Sequence, residues 1–326
     1  MEYIEFFNEG ITDPAILGGK GSSLIKLMQI GVRVPPGFIL KANSYKTFID
    51  ESEHNEQLKT LLKTELSIKK VLHISKVIKQ LIRTSRIPSK IEKQIKTGLK
   101  KLKKESGSYA SYAVRSSATI EDTETFSFAG QAKSYLYNKG FDEIILSVKK
   151  CWASLFTPSA LFYIIQMNKK GQKISLLDIQ MAVVIQKMVD ADVSGVLFTS
   201  NVLNNNNGEM MINSTWGLGE TIANNIIIPD MFILNKKKFE IIKYVIGAKE
   251  KKSIRNPNGS YTIIIDTDPN FQQISSLNEN QLQKLYHLGL TLEREFKYPQ
   301  DIEWAIENDI IYTLQSRPIT TLKKEI

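Results

Sequence analysis

The sequence predicts an α+β protein, and three observations carry that reading. Residues 43 to 105 place apolar side chains at helical spacing, and the second half turns to apolar strand-like runs, Ile179 to Val189 and Val193 to Thr199. Residues 301 to 318 read as a hairpin, with alternation of period two on either side of a polar tripeptide. At 326 residues the chain is long enough for two lobes or one large domain with a substantial core.

Taken in order, Gly18-Gly19-Lys20-Gly21-Ser22-Ser23 precedes Leu24, Leu27, Met28 and Ile30, whose spacing predicts a helix with one buried face. A glycine turn at a helix start lets backbone approach phosphate, and Lys20 adds a mobile positive charge. The glycine spacing is not that of a P-loop, and a simple turn fits equally. Arg33-Val34-Pro35-Pro36-Gly37 reads as a rigid turn into the strand Phe38 to Leu40. Between 43 and 105, Asn43 or Ser44 would cap the first helix; Pro88 would open the last, with Ile91, Ile95, Leu99 and Leu102 on one face. Tyr109 to Val114 reads as a strand delivering Arg115-Ser116-Ser117-Ala118 at its end, where Arg115 would suit a phosphate clamp.

Glu121 to Gln131 is a small polar stretch suited to closing over a ligand, or else an acidic surface loop, and Ser134-Tyr135-Leu136 begins the next strand. Helices are expected at Phe141 to Phe156 and Ser159 to Met167, with Ile144, Ile145 and Val148 as a core stripe. Gln186-Lys187-Met188-Val189 is either a hinge facing an adenine ring or a buried strand end. Asn204 to Gly208 is a turn, and Gly217-Leu218-Gly219-Glu220 sets paired glycines beside an acid, which allows close backbone approach. Strands near Met231 to Leu234, Phe239 to Ile246 and Tyr261 to Ile265 lead to a helix from Asn278 to Phe296.

Composition narrows the function classes. Hydrophobic content of 42% and charged content of 24% are those of a globular chain. The start lacks the pattern of a secretory signal and no apolar stretch is long enough to cross a bilayer, so a cytoplasmic protein without a membrane partner is expected. Cys151 is the only cysteine, which excludes an internal disulfide and a thiolate metal cluster. His54, His73 and His287 lie in helical contexts that offer no catalytic dyad. Of the net charge of +9, the segment Lys59 to Lys104 carries +13, from 15 basic residues against Glu65 and Glu92. It lacks interleaved aromatics, so a solvated helix face is expected there rather than a nucleic-acid partner.

In the hairpin, a three-residue loop Glu307-Asn308-Asp309 would set Ile306 opposite Ile310, Trp304 opposite Tyr312 and Ile302 opposite Leu314. Asp301, Glu303, Thr313, Gln315 and Arg317 would then share the other face, with Glu303 and Gln315 as diagonal neighbours and Asp309 at positive φ. A carboxylate, an amide oxygen and a guanidinium on one face suit a magnesium nucleotide, although an ordinary sheet edge has the same pattern.

These pieces, in this order, resemble the nucleotide-binding domain of the phosphoenolpyruvate synthase and pyruvate phosphate dikinase family, to which rifampicin phosphotransferase also belongs. The matching stretches include Gly18-Gly19-Lys20-Gly21, Val34-Pro35-Pro36-Gly37-Phe38, Val114-Arg115-Ser116-Ser117-Ala118-Thr119, Ser127-Phe128-Ala129-Gly130-Gln131 and Cys151-Trp152-Ala153-Ser154-Leu155-Phe156. Further along they include Gln186-Lys187-Met188-Val189, Ser194 to Thr199, Gly217 to Glu220 and the hairpin. The family usually has threonine where Ser134 stands and arginine where Ile164 stands, and Asn224-Asn225 replaces a small-residue pair.

The resemblance implies an ATP-grasp fold with the nucleotide site between two lobes, 1–190, including the basic helical segment 55–105, and 191–326, ending in the metal-binding hairpin. It implies ATP and Mg2+ as cofactors. Lys20 and Arg115 would hold phosphates, Gly130 and Ser134 would belong to the loop over them, and Gln186 would contact the base. Glu303 and Gln315 would bind magnesium, and Arg317 would stabilise the transferred group. Lys20, Arg115 and Arg317 are thus the expected catalytic residues. The implied activity is a dikinase-type phosphotransferase, giving the β-phosphoryl group of ATP to a histidine on a separate domain or chain, for transfer to a small-molecule acceptor such as pyruvate. Alternatives are a rifampicin phosphotransferase-like module, an ATP-grasp ligase, and a non-catalytic nucleotide- or nucleic-acid-binding protein.

Overall fold

The computed structural model describes residues 2–8, 10, 12–107, 110–119 and 133–320. It is a mixed α/β structure with antiparallel sheets, and the chain divides into two units: Met1–Ile25 with Pro36–Met188, and Lys26–Pro35 with Val189–Ile326. No helix among the described residues is long and apolar enough to cross a membrane.

In order, the elements before the division at Met188 are β1 (Ile4–Phe6), α1 (Pro14–Gln29), β2 (Gly37–Leu40), α2 (Ala42–Glu51), α3 (Asn55–Leu62), α4 (Val71–Thr84), α5 (Ser89–Ser106), β3 (Tyr112–Ala118), β4 (Ser134–Asn138), α6 (Phe141–Ser154), α7 (Pro158–Lys169) and β5 (Met181–Lys187). The five strands form one antiparallel sheet in the order β1-β2-β5-β3-β4. Alternation decides what each face does. Ile4, Phe6, Phe38, Leu40, Val114, Val183 and Ile185 point into one core, which the buried sides of α2 to α7 complete. In α4 the buried side is Val71, Ile74, Ile78 and Ile82, and in α5 it is Ile91, Ile95 and Leu102, while Lys93, Lys96, Lys100 and Lys103 are exposed. The lysine-rich segment therefore forms amphipathic helices whose apolar stripes are already buried.

The first helix differs from expectation. It begins at Pro14, ahead of the glycine motif, and breaks at Gly18, whose φ of 69° and ψ of 169° are not helical. The glycine motif thus starts the second segment of a kinked helix. Helix α2 is preceded by Lys41 at its N-cap, with no side-chain cap, rather than by Asn43 or Ser44.

The second unit holds β6 (Val193–Phe198), β7 (Glu209–Trp216), α8 (Glu220–Ala223), β8 (Asp230–Asn235), β9 (Glu240–Val245), β10 (Lys251–Arg255), β11 (Thr262–Asp266), α9 (Pro269–Gln272), α10 (Glu279–Phe296), β12 (Gln300–Glu307) and β13 (Ile310–Pro318). Six strands pair in the order β13-β12-β6-β7-β8-β9, and β10 with β11 form a separate ribbon. Strand β10 was not expected: Lys251-Lys252-Ser253-Ile254-Arg255 has too few apolar residues to show alternation. Helix α10 starts at a capping box in which Asn278 and Gln281 exchange side-chain and backbone bonds. It lies on one sheet face at Gly289, where an added Cβ would stand 2.7 Å from Met210 Cε and 3.0 Å from Leu197 Cδ2. Leu197 pairs with Ile302, so α10 covers the Ile302 face and leaves the Glu303 face uncovered by that helix.

Candidate functional site

In the first unit, Arg115 lies in the middle of β3 rather than at a strand end, directly opposite Ser134 on one side and Val184 on the other. Gln186 pairs with Ala113 and with Gly37. Register therefore puts Arg115, Ser117, Ser134 and Gln186 on one sheet face, opposite the apolar core. Helix α1 lies over the same face. An added Cβ at Gly21 would stand 3.0 Å from Ile39 Cδ1, and one at Gly18 would collide with the Ser117 carbonyl and hydroxyl oxygens. Lys20, between those two glycines, thus belongs to the Arg115 side. Both cations are buried, 7% and 9% exposed, which is rare for lysine and arginine away from paired or ligand-binding sites. Gly130 and the stretch 121–131 expected to close over a ligand lie outside the described residues.

Ser117 is the residue that sequence reasoning missed. Its hydroxyl donates to the Leu17 carbonyl at 3.0 Å and accepts from the Gly21 N–H at 3.1 Å, spanning the break at Gly18. Period two from Arg115 would have placed it on the Arg115 face. Cys151 is buried and its thiol is pushed well above the ordinary range by burial, with Lys20 acting in the opposite sense, so it stays protonated.

In the second unit the hairpin register corrects the expectation. Glu307 pairs with Ile310, so the loop is the two residues Asn308-Asp309, with φ of 51° and 60°. Two successive positive φ values are those of a type I′ hairpin turn. Ile306 faces Ile311, Ala305 faces Tyr312, and Trp304 faces Thr313, which removes Thr313 from the polar face. Thr313 is buried beside Trp304. Between Trp304 and Glu303 the register shifts, and Leu314 is the extra residue of a bulge. Beyond it Glu303 stands directly opposite Gln315, and Asp301 opposite Arg317. Four polar residues thus share one face after all, with Glu303 and Gln315 as direct rather than diagonal neighbours. The Arg317 Nε and Nη2 both donate to Asp301 Oδ2, at 2.9 and 2.8 Å.

Among the described residues no three His, Cys, Asp or Glu side chains gather as a metal-binding group. Glu303 and Gln315 offer a carboxylate and an amide oxygen side by side, a donor set that fits magnesium when phosphate and water complete its shell. The Gly217-Leu218-Gly219-Glu220 motif is structural here. The Gly217 carbonyl accepts from Ser194 Oγ at 2.6 Å, and Glu220 Oε2 accepts from Ser253 Oγ at 2.7 Å.

Comparison with known proteins shows the family of the chain. Residues 14–326 match the family model described as pyruvate phosphate dikinase, AMP/ATP-binding domain. The chain is 36% identical to phosphoenolpyruvate synthase of Pyrococcus furiosus, over 99% of this chain and 44% of the relative. It is 36% identical to a probable phosphoenolpyruvate synthase of Methanocaldococcus jannaschii, over 99% of this chain and 27% of the relative. With rifampicin phosphotransferase of Bacillus subtilis the identity is 36%, over 95% of this chain and 35% of the relative. The chain therefore spans less than half the length of these curated relatives. A match running from the first turn of α1 through the terminal hairpin, and taking in every described residue of the two polar faces, makes this chain a member of the pyruvate phosphate dikinase AMP/ATP-binding domain family.

Proposed function

We propose that the chain is an ATP-grasp nucleotide-binding module, with lobes 1–190 and 191–326, that donates the β-phosphoryl group of ATP to a histidine on a separate domain or partner chain. The observation that carries this reading is the pairing of Glu303 with Gln315 and of Arg317 with Asp301 on one strand face, within a chain of the AMP/ATP-binding family. Lys20 and Arg115 bind the phosphates, with Gly130 and Ser134, the latter opposite Arg115 at the start of β4, as further contacts to them, and Gln186 faces the base. Glu303 and Gln315 hold magnesium, which when bound neutralises phosphate charge. Arg317 presents its fork to the transferred group, where developing charge is greatest. The histidine nitrogen bonds to the β-phosphorus as the bridge to the α-phosphoryl group breaks and AMP leaves. Water then releases the γ-phosphoryl group as inorganic phosphate, and the β-phosphoryl group stays on the histidine until an acceptor takes it.

The test is to combine the chain with a histidine-domain partner and follow nucleotide products: AMP and phosphate are expected, and ADP as the sole product contradicts the proposal in favour of ligase or simple kinase chemistry. Pyruvate is the first acceptor to supply, since several relatives are phosphoenolpyruvate synthases. Rifampicin is the second, on the strength of the Bacillus subtilis relative.

A further inference from the structure

Lys20 sits in the one part of α1 where the helix is not continuous. The chain leaves helical geometry at Gly18 and re-enters it within the motif, so the Leu17 carbonyl and the Gly21 N–H are joined through a side chain instead of through the helix ladder. That side chain is Ser117, fully buried, on β3. It is two residues from Arg115 and on the same face, so one hydroxyl fixes the backbone around Lys20 to the strand that carries Arg115. Gly18 is required for this approach, both by its positive φ and because any Cβ there would meet Ser117.

We propose that Ser117 is a positioning residue for phosphate binding: its two hydrogen bonds set the spacing between Lys20 and Arg115, and thereby the fit of both cations to one polyphosphate. This rests on the nucleotide site proposed above. A hydroxyl that merely filled space would leave ligand preference alone. One that sets the spacing of two phosphate ligands acts on ATP and leaves adenosine, which has no phosphate, untouched.

The experiment measures binding of ATP and of adenosine by calorimetry to the unaltered chain, to Ser117→Ala, to Lys20→Met and to the double variant, with thermal unfolding recorded for each. Losing both bonds of a buried hydroxyl is expected to weaken ATP about tenfold and adenosine not at all. In the double variant the loss should be no greater than in Lys20→Met alone, because the two residues act as one unit. Ser117→Thr, which keeps the hydroxyl, should restore ATP affinity. Equal weakening of ATP and adenosine, strictly additive losses, or unchanged ATP affinity in Ser117→Ala each overturn the proposal. If Ser117→Ala does not fold, Ser117→Cys, close in volume but a weak hydrogen-bonding group, carries the same comparison. Failure of the unaltered chain to bind ATP refutes the nucleotide site itself and this role with it, whereas ATP binding indifferent to Ser117 refutes the positioning role alone.

Discussion

Glu303 faces Gln315 across the hairpin because Leu314 bulges out of the β13 ladder instead of pairing. With the two-residue turn that Asn308 and Asp309 form, uninterrupted strands would set Glu303 against Leu314 and turn Gln315 to the Ile302 face. The bulge restores the parity that the short turn removes. Deleting Leu314 would leave Gln315 directly after Thr313 and still opposite Glu303, so the two oxygen donors should stay together without the bulge. The expected outcome is that magnesium-dependent ATP affinity is retained in the Leu314 deletion and lost in Glu303→Ala, read by titration with and without Mg2+. An unchanged magnesium dependence in Glu303→Ala would remove the pair from the proposed metal site.

Arg317 supplies the second prediction. Its guanidinium gives both Nε and Nη2 to Asp301, and its side chain remains 42% exposed, so the fork is oriented without being buried. Lysine keeps the charge but not the fork. We expect Arg317→Lys and Arg317→Ala to lower phosphoryl transfer by about 10²-fold or more, with unfolding midpoints close to that of the unaltered chain. Asp301→Ala should lower transfer in the same direction by freeing the fork to rotate. Retained transfer in Arg317→Ala would contradict the assigned role.

The sequence made some of this legible and hid the rest for definite reasons. Apolar stripes such as Ile74, Ile78 and Ile82 in α4 are local patterns, and the helices follow them. In the hairpin, alternation correctly grouped Asp301, Glu303, Gln315 and Arg317, yet by way of the wrong loop. A three-residue loop and a two-residue loop with one bulged residue give nearly the same parity beyond the bulge. They differ from Ile310 to Leu314, between loop and bulge, where Ile310, Ile311, Tyr312 and Thr313 each change face. Arg115-Ser116-Ser117-Ala118 reads as the end of a strand, whereas all four stand within β3 and the two serine hydroxyls satisfy neighbouring backbone. The Ser117 bridge joins residues 96 and 100 positions apart, which no local pattern records.

The turn gives a prediction in pH. Asp309 accepts from Gln281 Nε2 at 3.0 Å and from Lys284 Nζ at 3.1 Å, and these two bonds, with the lysine charge, hold its carboxyl below the usual carboxylate range. A depressed folded value means that this contribution is fully present above the ordinary carboxylate pKa and is lost as pH falls through the folded one. Titration followed by NMR at Asp309 should give a midpoint below that of an exposed model carboxylate, and Lys284→Met should move it upward. A midpoint unmoved by Lys284→Met would show that the ion pair does not form in solution.

Asp230 and Lys249 form a wholly buried ion pair that no spacing rule announced. Asp230 Oδ1 accepts from Lys249 Nζ at 2.5 Å and from the Gly247 N–H at 3.0 Å, and Oδ2 accepts from Ser276 N–H and Oγ at 2.8 and 2.7 Å. Lys249 also donates to the Gly247 carbonyl at 3.0 Å. The pair thus ties β8 to the segments leading into β10 and α10. Breaking one side leaves a buried charge with too few partners, and such a loss typically costs about 3–5 kcal/mol. Replacing both residues by apolar ones of similar size removes that penalty. Lys249→Met and Asp230→Leu should each therefore lower unfolding free energy in urea more than the Asp230→Leu/Lys249→Met double variant does. Additive losses would mean that the hydrogen bonds to Gly247 and Ser276, rather than the charge pairing, carry the stability of this network.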